Sequence, residues 1–456
     1  MTEDHPPTTF VRVDVDGACT DVRIAGGRVH QVGNSLPRAG TRVVDAGGGA
    51  LLPGLHDHHL HLLAMAARDR SLDLGGVTGV AGFDDAVRDA HAGRASATWL
   101  RVVGYDESHG PLDADRLAAL APGRPIRIQH RTGAAWMLNP TAAAATGVTA
   151  LEWRHREDHE LRHAWDDGTP VDLGAVARRL ARHGITGVTD ATPFDSVDGF
   201  SLLAAARASG DLPQHVVVTG GPQLTDTAPP AGVERGPVKL IVTDHELPDP
   251  DSLAAAITEA HRVGRPVAVH CVTRVALVLA LIAWEQAGAR PGDRIEHASV
   301  VPLELIGRLA ALELQVVTQP GFIHAHGDRY LRTVEPEDVP DLYRCASLLD
   351  AGVGVGGSTD APFGPDDPWI AVRAAMDRRT ATGVPLGPDE RVPARTALDR
   401  FLSAPDHPGG PARRIVPGAP ADLVLLDAPL DVVLTAPGAD HVVGTWVDGR
   451  PIHPPA

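Results

Sequence analysis

Short apolar runs alternate with Ala- and Leu-rich segments of helical period through most of this chain. No other feature constrains its fold as strongly. Strands joined by helix-length crossovers pair in parallel, and a parallel sheet is covered on both faces. The strand candidates are Leu51–His56, Thr186–Asp190, His215–Thr219, Val238–Val242, Pro266–His270, Arg294–His297, Gln315–Gln319 and Gly352–Gly356. Eight such strands are what a (β/α)8 TIM barrel needs, and the 456 residues can be absorbed by one elaborated barrel.

Two regions stand outside that count. The chain begins with short strand candidates, Phe10–Val15, Asp21–Ala25, Arg28–Val32 and Arg42–Asp45, and ends with Asp422–Leu426, Val432–Leu434 and His441–Val447. Neither end has enough strand to bury a core alone, so the two are expected to combine into one small β-sandwich. The interval from about Arg70 to Thr169 carries its own strands, Trp99–Val103 and Ile126–His130, and reads as an insertion between barrel strands one and two. The expected architecture is α/β. Residues 1–52 and 410–456 form a composite sandwich, 53–69 and 170–409 the barrel, and 70–169 an insertion subdomain.

A net charge of −17 argues against a nucleic-acid or anionic-membrane partner, either of which calls for a basic face. The charge favours no substrate in particular; a small-molecule substrate is expected, and a homo-oligomer is left open. Cys19, Cys271 and Cys345 have neither a disulfide framework nor zinc-ribbon spacing. The N-terminus has no basic and apolar leader, so a cytoplasmic setting is expected.

The chemistry is concentrated at strand ends. In Pro53-Gly54-Leu55-His56-Asp57-His58-His59-Leu60-His61, strand alternation sends Asp57, His59 and His61 one way and His56 and His58 the other. Two imidazoles two residues apart on a strand end can grip one metal ion. Of 41 basic Lys and Arg residues only Lys239 is lysine, and it lies in an apolar strand candidate. A buried amine loses its proton more readily than a guanidinium, and a neutral amine can take up carbon dioxide to become a carboxylate-like ligand. His270 ends strand five, His297 ends strand six, and Asp360 follows strand eight. These are the C-terminal strand ends, where barrel chemistry sits. Glu296 and Cys271 adjoin ligand candidates and are expected on the opposite face, as structural residues. Asp57 is expected to orient an imidazole or cap a turn, and Asp190 to face the site or start a helix.

With these motifs the chain resembles the amidohydrolase superfamily of metal-dependent hydrolases. Gly104-Tyr105-Asp106-Glu107-Ser108 and Gly133-Ala134-Ala135-Trp136-Met137-Leu138-Asn139 are similar to the branch containing N-substituted formamide deformylase. The resemblance implies that His59, His61, His270, His297 and Asp360 bind divalent metal, two zinc ions by default. It also implies that Lys239, as N6-carboxylysine, bridges them. Two cations would hold a shared hydroxide that attacks the scissile carbonyl, while Asp360 moves the proton as base and then acid. The implied activity is hydrolysis of a carbon–nitrogen bond, other than a peptide bond, in a small amide, formamide, urea or cyclic amide. The alternatives are an esterase, lactonase or deaminase on the same metals, or a barrel that binds metal without turnover. Tyr105, His130, Trp136, His324 and His326 are the substrate-pocket candidates, the last two in the loop after strand seven. One departure is Ala134, where that branch usually has histidine; either His130 takes its place or the substrate differs. Another is Thr273, three residues after His270, where the superfamily's nucleobase deaminases carry glutamate; this argues against a deaminase.

Overall fold

The computed structural model describes residues 6–93, 98–133, 135–155, 171–244 and 247–455. The chain divides into two compact units, one of residues 1–62 and 173–456 and the other Leu63–Asp172. No described helix is long and apolar enough to cross a membrane.

The larger unit is built on eight parallel strands. We label them β1 (Leu55–Leu60), β2 (Ile185–Asp190), β3 (His215–Val218), β4 (Val238–Ile241), β5 (Val267–Cys271), β6 (Arg294–His297), β7 (Gln315–Thr318) and β8 (Val355–Gly357). They pair in sequence order, β1 to β3 in one sheet and β4 to β8 in another. Backbone hydrogen bonds join the two sheets at both ends. Lys239 N on β4 donates to Gly220 O after β3, and Asp360 N after β8 donates to His59 O on β1, each at 2.8 Å.

Period-two alternation decides which residues reach the site. In β4 to β6, Val238, Leu240, Val267, Val269, Cys271 and Ile295 face the helices and share a core with Leu253, Ile257, Leu277, Leu281 and Trp284. The alternate positions carry Lys239, His270, Arg294 and Glu296 on the other face. Parallel register sets His270 beside Glu296, and Lys239 level with Ala268 and Arg294.

Both chain ends contribute to two further four-stranded sheets. One runs Arg28–Gly33, Ala18–Ala25, Thr8–Val15, Arg42–Asp45; the other runs Arg450–His453, Val442–Val447, Leu423–Leu426, Leu51–Pro53. They share one core, in which Phe10 meets Trp446 edge-on at 4.8 Å. The predicted strand Leu51–His56 is in fact two strands. Leu51–Pro53 pairs antiparallel with the C-terminal strand Leu423–Leu426, and β1 begins at Leu55. Gly54 sits at the break, where a Cβ would come within 2.1 Å of the Thr186 side chain. The expected strand at Val432–Leu434 is a short helix, Leu430–Val433. Pro429 at its N-cap position and Asp431 in its first turn are helix-start signals that outweigh the β-branched pair.

The smaller unit has a five-stranded sheet, with Leu72–Asp73, Leu100–Tyr105, Ile126–His130, Ala135–Leu138 and Arg154–His155 adjacent in that order. Leu100, Val102, Ile126 and Ile128 pack on Phe83, Val87 and Leu117 of its helices.

In the larger unit, one carboxylate organises the turn into β6. Asp293 is fully buried and accepts from His261 Nε2 at 2.9 Å, Trp284 Nε1 at 3.0 Å, Val267 N at 2.8 Å and Arg290 N at 2.9 Å. Stranding a buried donor costs roughly 1–3 kcal/mol. Asp293→Ala is therefore expected to lower the unfolding free energy by about 3 kcal/mol or more, and Asp293→Asn by less because one acceptor oxygen remains. Denaturant titration followed by tryptophan fluorescence reads this. A loss below about 1 kcal/mol would mean that water replaces the carboxylate.

Candidate metal centre

Six expected ligand types, His59, His61, Lys239, His270, His297 and Asp360, lie at the C-terminal ends or on the site face of β1, β4, β5, β6 and β8. The His59 and His297 rings are 4.6 Å apart, His59 and His61 5.3 Å, and His270 and His297 4.5 Å. Ligand atoms of His59, His297 and Asp360 all lie within 4.8 Å of one another, and all three residues are buried.

His297 reaches the site by a backbone device. It has φ +72°, and Ala298 after it has +47°. The left-handed turn breaks strand alternation, so Glu296 and His297 both face the centre. Glu296 was expected on the opposite face; the structure corrects this, because the alternation fails at the residue that follows it. Cys271 does face away, into the helix-side core. Asp360 is also left-handed, at φ +54°. Such conformations cost energy and persist where surrounding structure enforces them.

The carboxylates Asp57 and Asp190 provide part of that enforcement. Asp57 accepts from Thr359 Oγ1 at 2.5 Å, Thr359 N at 3.2 Å and His59 N at 3.1 Å, tying β1 to the segment that carries Asp360. Burial pushes its carboxyl up to about 7, against those hydrogen bonds. Asp190 accepts from Leu62 N at 2.9 Å and Thr192 N at 3.0 Å, so it holds the turn after His61. Both hold backbone, and Asp57 also holds the Thr359 hydroxyl; neither orients an imidazole.

Hydrogen-bond accounting fixes which imidazole nitrogens are free. Ser358 Oγ donates its one proton to Thr318 O at 3.1 Å, so it accepts from Gln319 Nε2 at 2.9 Å. Gln319 Oε1 then faces His297 Nδ1 at 3.0 Å and accepts from it, which leaves the His297 Nε2 lone pair free. His59 Nδ1 lies 2.5 Å from Glu296 Oε2, while Arg294 Nε donates to Glu296 Oε1 at 2.7 Å. Burial opposes the Glu296 charge, but Arg294, Lys239 and His59 hold its carboxyl well below the usual range. His59 Nδ1 is therefore a donor and its Nε2 is free. His61 Nδ1 meets Thr192 Oγ1 at 3.0 Å. Burial lowers His59 to about 4 and His297 to about 3, so both are neutral at physiological pH.

The Nε2 atoms of His59 and His61 face Asp360, and His297 approaches it through Nδ1, 3.7 Å from Oδ2. Asp360 Oδ1 lies 3.6 Å from His59 Nε2 and 3.2 Å from His61 Nε2, yet is buried with no hydrogen-bond partner among the described residues. Burial opposes its charge, but His61, His297 and His59 hold its carboxyl well below the usual range. A tetrahedral zinc site with bonds near 2.0–2.2 Å sets neighbouring N and O ligands about 3.4 Å apart. That value falls between the two separations, and hydrogen bonds of this kind mostly end by about 3.2 Å. Lys239 Nζ is likewise buried without a partner among the described residues, and burial lowers it to about 8. Lone pairs facing an anionic oxygen, with an orphaned amine on the same face, fit a divalent cation.

The substrate-pocket candidates divide between the units. Tyr105 and Trp136 are buried in the smaller one. The Tyr105 hydroxyl donates to Gly110 O at 2.8 Å, and Arg127 lies 3.5 Å over the Trp136 ring. His130 contacts Glu107 at 3.3 Å in the same unit, and its ring is 6.5 Å from that of Tyr105. Ala134 lies outside the described residues. His324 and His326 were expected in a loop but belong to the helix Gly321–Thr333. Two positions apart on a helix they point different ways: His324 is exposed, whereas His326 Nε2 donates to Phe363 O at 2.9 Å. Phe363 in turn packs on His61, ring centres 5.6 Å apart. Thr273 caps the helix after β5, accepting from Ala276 N at 3.1 Å. The sequence reading passed over Gln319 and Thr192. For Glu296 the available signal was the pair Arg294 and Glu296 alternating with apolar Ile295.

A second cluster, His215, Asp422 and Asp448, brings ligand-type atoms within 4.8 Å at the start of β3. His215 Nε2 is 3.2 Å from Asp422 Oδ1, and that contact raises the imidazole's proton affinity; it reads as an ion pair.

Comparison with known proteins places this geometry in a family. N-substituted formamide deformylase of Arthrobacter pascens is 25% identical over 478 residues, covering 87% of this chain and 88% of that protein. The putative amidohydrolase YtcJ of Bacillus subtilis is 23% identical, covering 75% of this chain and 76% of its own length. Among solved structures, a metal-dependent hydrolase from Pyrococcus horikoshii superposes with a TM-score of 0.76 at 20% identity, covering 96% of this chain and 99% of that one. The sequence model of the amidohydrolase family matches residues 42–453, and the chain belongs to that family.

Proposed function

We propose that the protein is a metal-dependent amidohydrolase that cleaves a carbon–nitrogen bond of a small amide, formamide, urea or cyclic amide. One observation carries the reading: the Nε2 atoms of His59 and His61 face an Asp360 oxygen that, like the lysine on the same face, has no hydrogen-bond partner among the described residues. The match to N-substituted formamide deformylase along most of both chains supports the bond type. The backbone bonds that join β3 to β4 and β8 to β1 support a closed barrel.

In this reading His59, His61, His270, His297 and Asp360 would hold two divalent cations, zinc by default, and Lys239, as N6-carboxylysine, would supply an anionic oxygen ligand. Bound cations supply Lewis acidity, lowering the pKa of water and polarising a carbonyl. The chain's own groups do the rest. Neutral imidazoles offer lone pairs without adding charge. Asp360 is ionised and has an oxygen free of hydrogen bonds, so it can take a proton from the attacking water and deliver it to the leaving nitrogen. A carbamate on Lys239 would put an anion where the amine now lies. The lowered proton affinity of that amine favours the neutral form, which reacts with carbon dioxide. His324 and His326 remain the proposed substrate contacts of the larger unit. The test is turnover of the zinc-reconstituted protein on a panel of formamides, amides, ureas and cyclic amides, with esters and lactones alongside. Two bound ions and no turnover would remove the reading.

Two substitutions probe the chemistry. Asp360→Asn is expected to abolish nearly all turnover while keeping most of the metal, because several ligands remain. Activity within about tenfold of wild type, about 1.4 kcal/mol of barrier, would show that Asp360 does not shuttle the proton.

Lys239→Arg is expected to fail almost as completely as Lys239→Ala. Arginine conserves charge, but a guanidinium cannot be carboxylated and would set a cation beside two others. Lys239→Ala leaves room that acetate or propionate can fill, so short carboxylates should restore part of its metal binding and rate. Near-normal turnover by the Arg variant would sink that ligand role.

A further inference from the structure

Glu296 belongs to neither the ligand set nor the substrate contacts, yet it is fully buried and both its oxygens are committed. Oε1 accepts from Arg294 Nε at 2.7 Å, and Oε2 lies 2.5 Å from His59 Nδ1. Arg294 is itself 2% exposed. Arg294, Glu296 and His59 thus form a buried series ending at His59 Nε2, which points to Asp360 Oδ1 across 3.6 Å. The other two imidazoles with a partner on Nδ1 meet neutral groups, Thr192 for His61 and Gln319 for His297. Among the described residues only His59 has a carboxylate within hydrogen-bond distance of Nδ1; the one near His297 Nδ1, Asp360 Oδ2, is 3.7 Å away.

We infer that Glu296 is a positioning residue that makes His59 the strongest metal-holding imidazole of the site. A carboxylate accepting Nδ1–H locks the tautomer, fixes the ring plane and increases electron density at Nε2. Such outer partners typically change metal affinity by about 10- to 100-fold. Arg294 serves this arrangement by holding Glu296 in place from the layer below. The left-handed turn at His297 is what allows carboxylate and ligand to come from consecutive residues. The inference rests on the metal centre read above, not on the bond that is cleaved.

The experiment measures zinc affinity of the full-length protein by competition with a chromophoric chelator, and the visible spectrum of its cobalt form. Glu296→Gln keeps an acceptor for His59 but loses the charge; zinc is expected to bind about tenfold more weakly, with shifted cobalt bands. Glu296→Ala should lose more, toward 100-fold. Because that change leaves Arg294 unpaired and endangers folding, Arg294→Met/Glu296→Gln removes both charges and should bind like Glu296→Gln alone. Metal-free stability of Glu296→Gln close to wild type would separate positioning from a general structural role. Zinc affinity of Glu296→Gln within threefold of wild type, with unchanged cobalt bands, would overturn the inference and leave the proposed hydrolysis standing. Wild-type protein that takes up no zinc or cobalt would overturn both.

Discussion

The arrangement of the larger unit turns on the cost of burying ligating groups before anything neutralises them. Asp360, Glu296, His59, His297 and Lys239 are each 5% exposed or less. Isolated charges do not survive such burial; they are paired, hydrogen-bonded or driven neutral. Each outcome occurs here. Glu296 is paired with Arg294, the imidazoles are held neutral, and Lys239 is pushed toward its neutral amine. Among the described residues, Asp360 alone of these groups stays ionised with an oxygen that no donor satisfies. The remaining attraction is for a cation, and the helix-side core keeps the strands from rearranging to avoid it.

Strand geometry supplies the positions and broken strand geometry supplies the focus. A parallel strand can offer one site-facing residue per layer. Regular alternation therefore gives Lys239, His270 and Glu296, but never two consecutive side chains on one face. The left-handed residues His297 and Asp360 add site-facing side chains that regular strands cannot. Asp57 and Asp190 hold neighbouring backbone with carboxylate oxygens, and their bonds bridge strands far apart in sequence, as Thr359 and His59 are bridged through Asp57. Strain at the strand ends is thus carried by buried hydrogen bonds of the same site.

Much of this was legible in sequence because ligand chemistry and strand period are local. Pro53 to His61 announces two imidazoles on one face, and a single lysine among forty arginines announces a position where charge alone does not suffice. The family resemblance rested on these residues, and the match over residues 42–453 bears it out. Glu296 was misplaced because alternation was counted backward from His297, and nothing in Arg-Ile-Glu-His signals φ +72° at the histidine. His324 and His326 were read as loop because strand β7 ends early, whereas the helix after it starts within three residues. Val432 and Val433 were read as strand from β-branching, which loses to Pro429 and a buried Val433 when only four residues are involved.

The site's carboxylates show how environment, not residue type, divides labour. Asp57 and Asp190 receive backbone N–H groups and are spent on geometry. Glu296 receives an arginine and an imidazole and is spent on a ligand. Asp360 has imidazoles around it and an oxygen left over. An ionised oxygen without a donor can accept a proton in a reaction without first giving up a hydrogen bond. The three satisfied carboxylates would each have to break one. In the proposed reading Asp360 is therefore the acid suited to proton transfer, while the other three hold it and its neighbouring imidazoles in place.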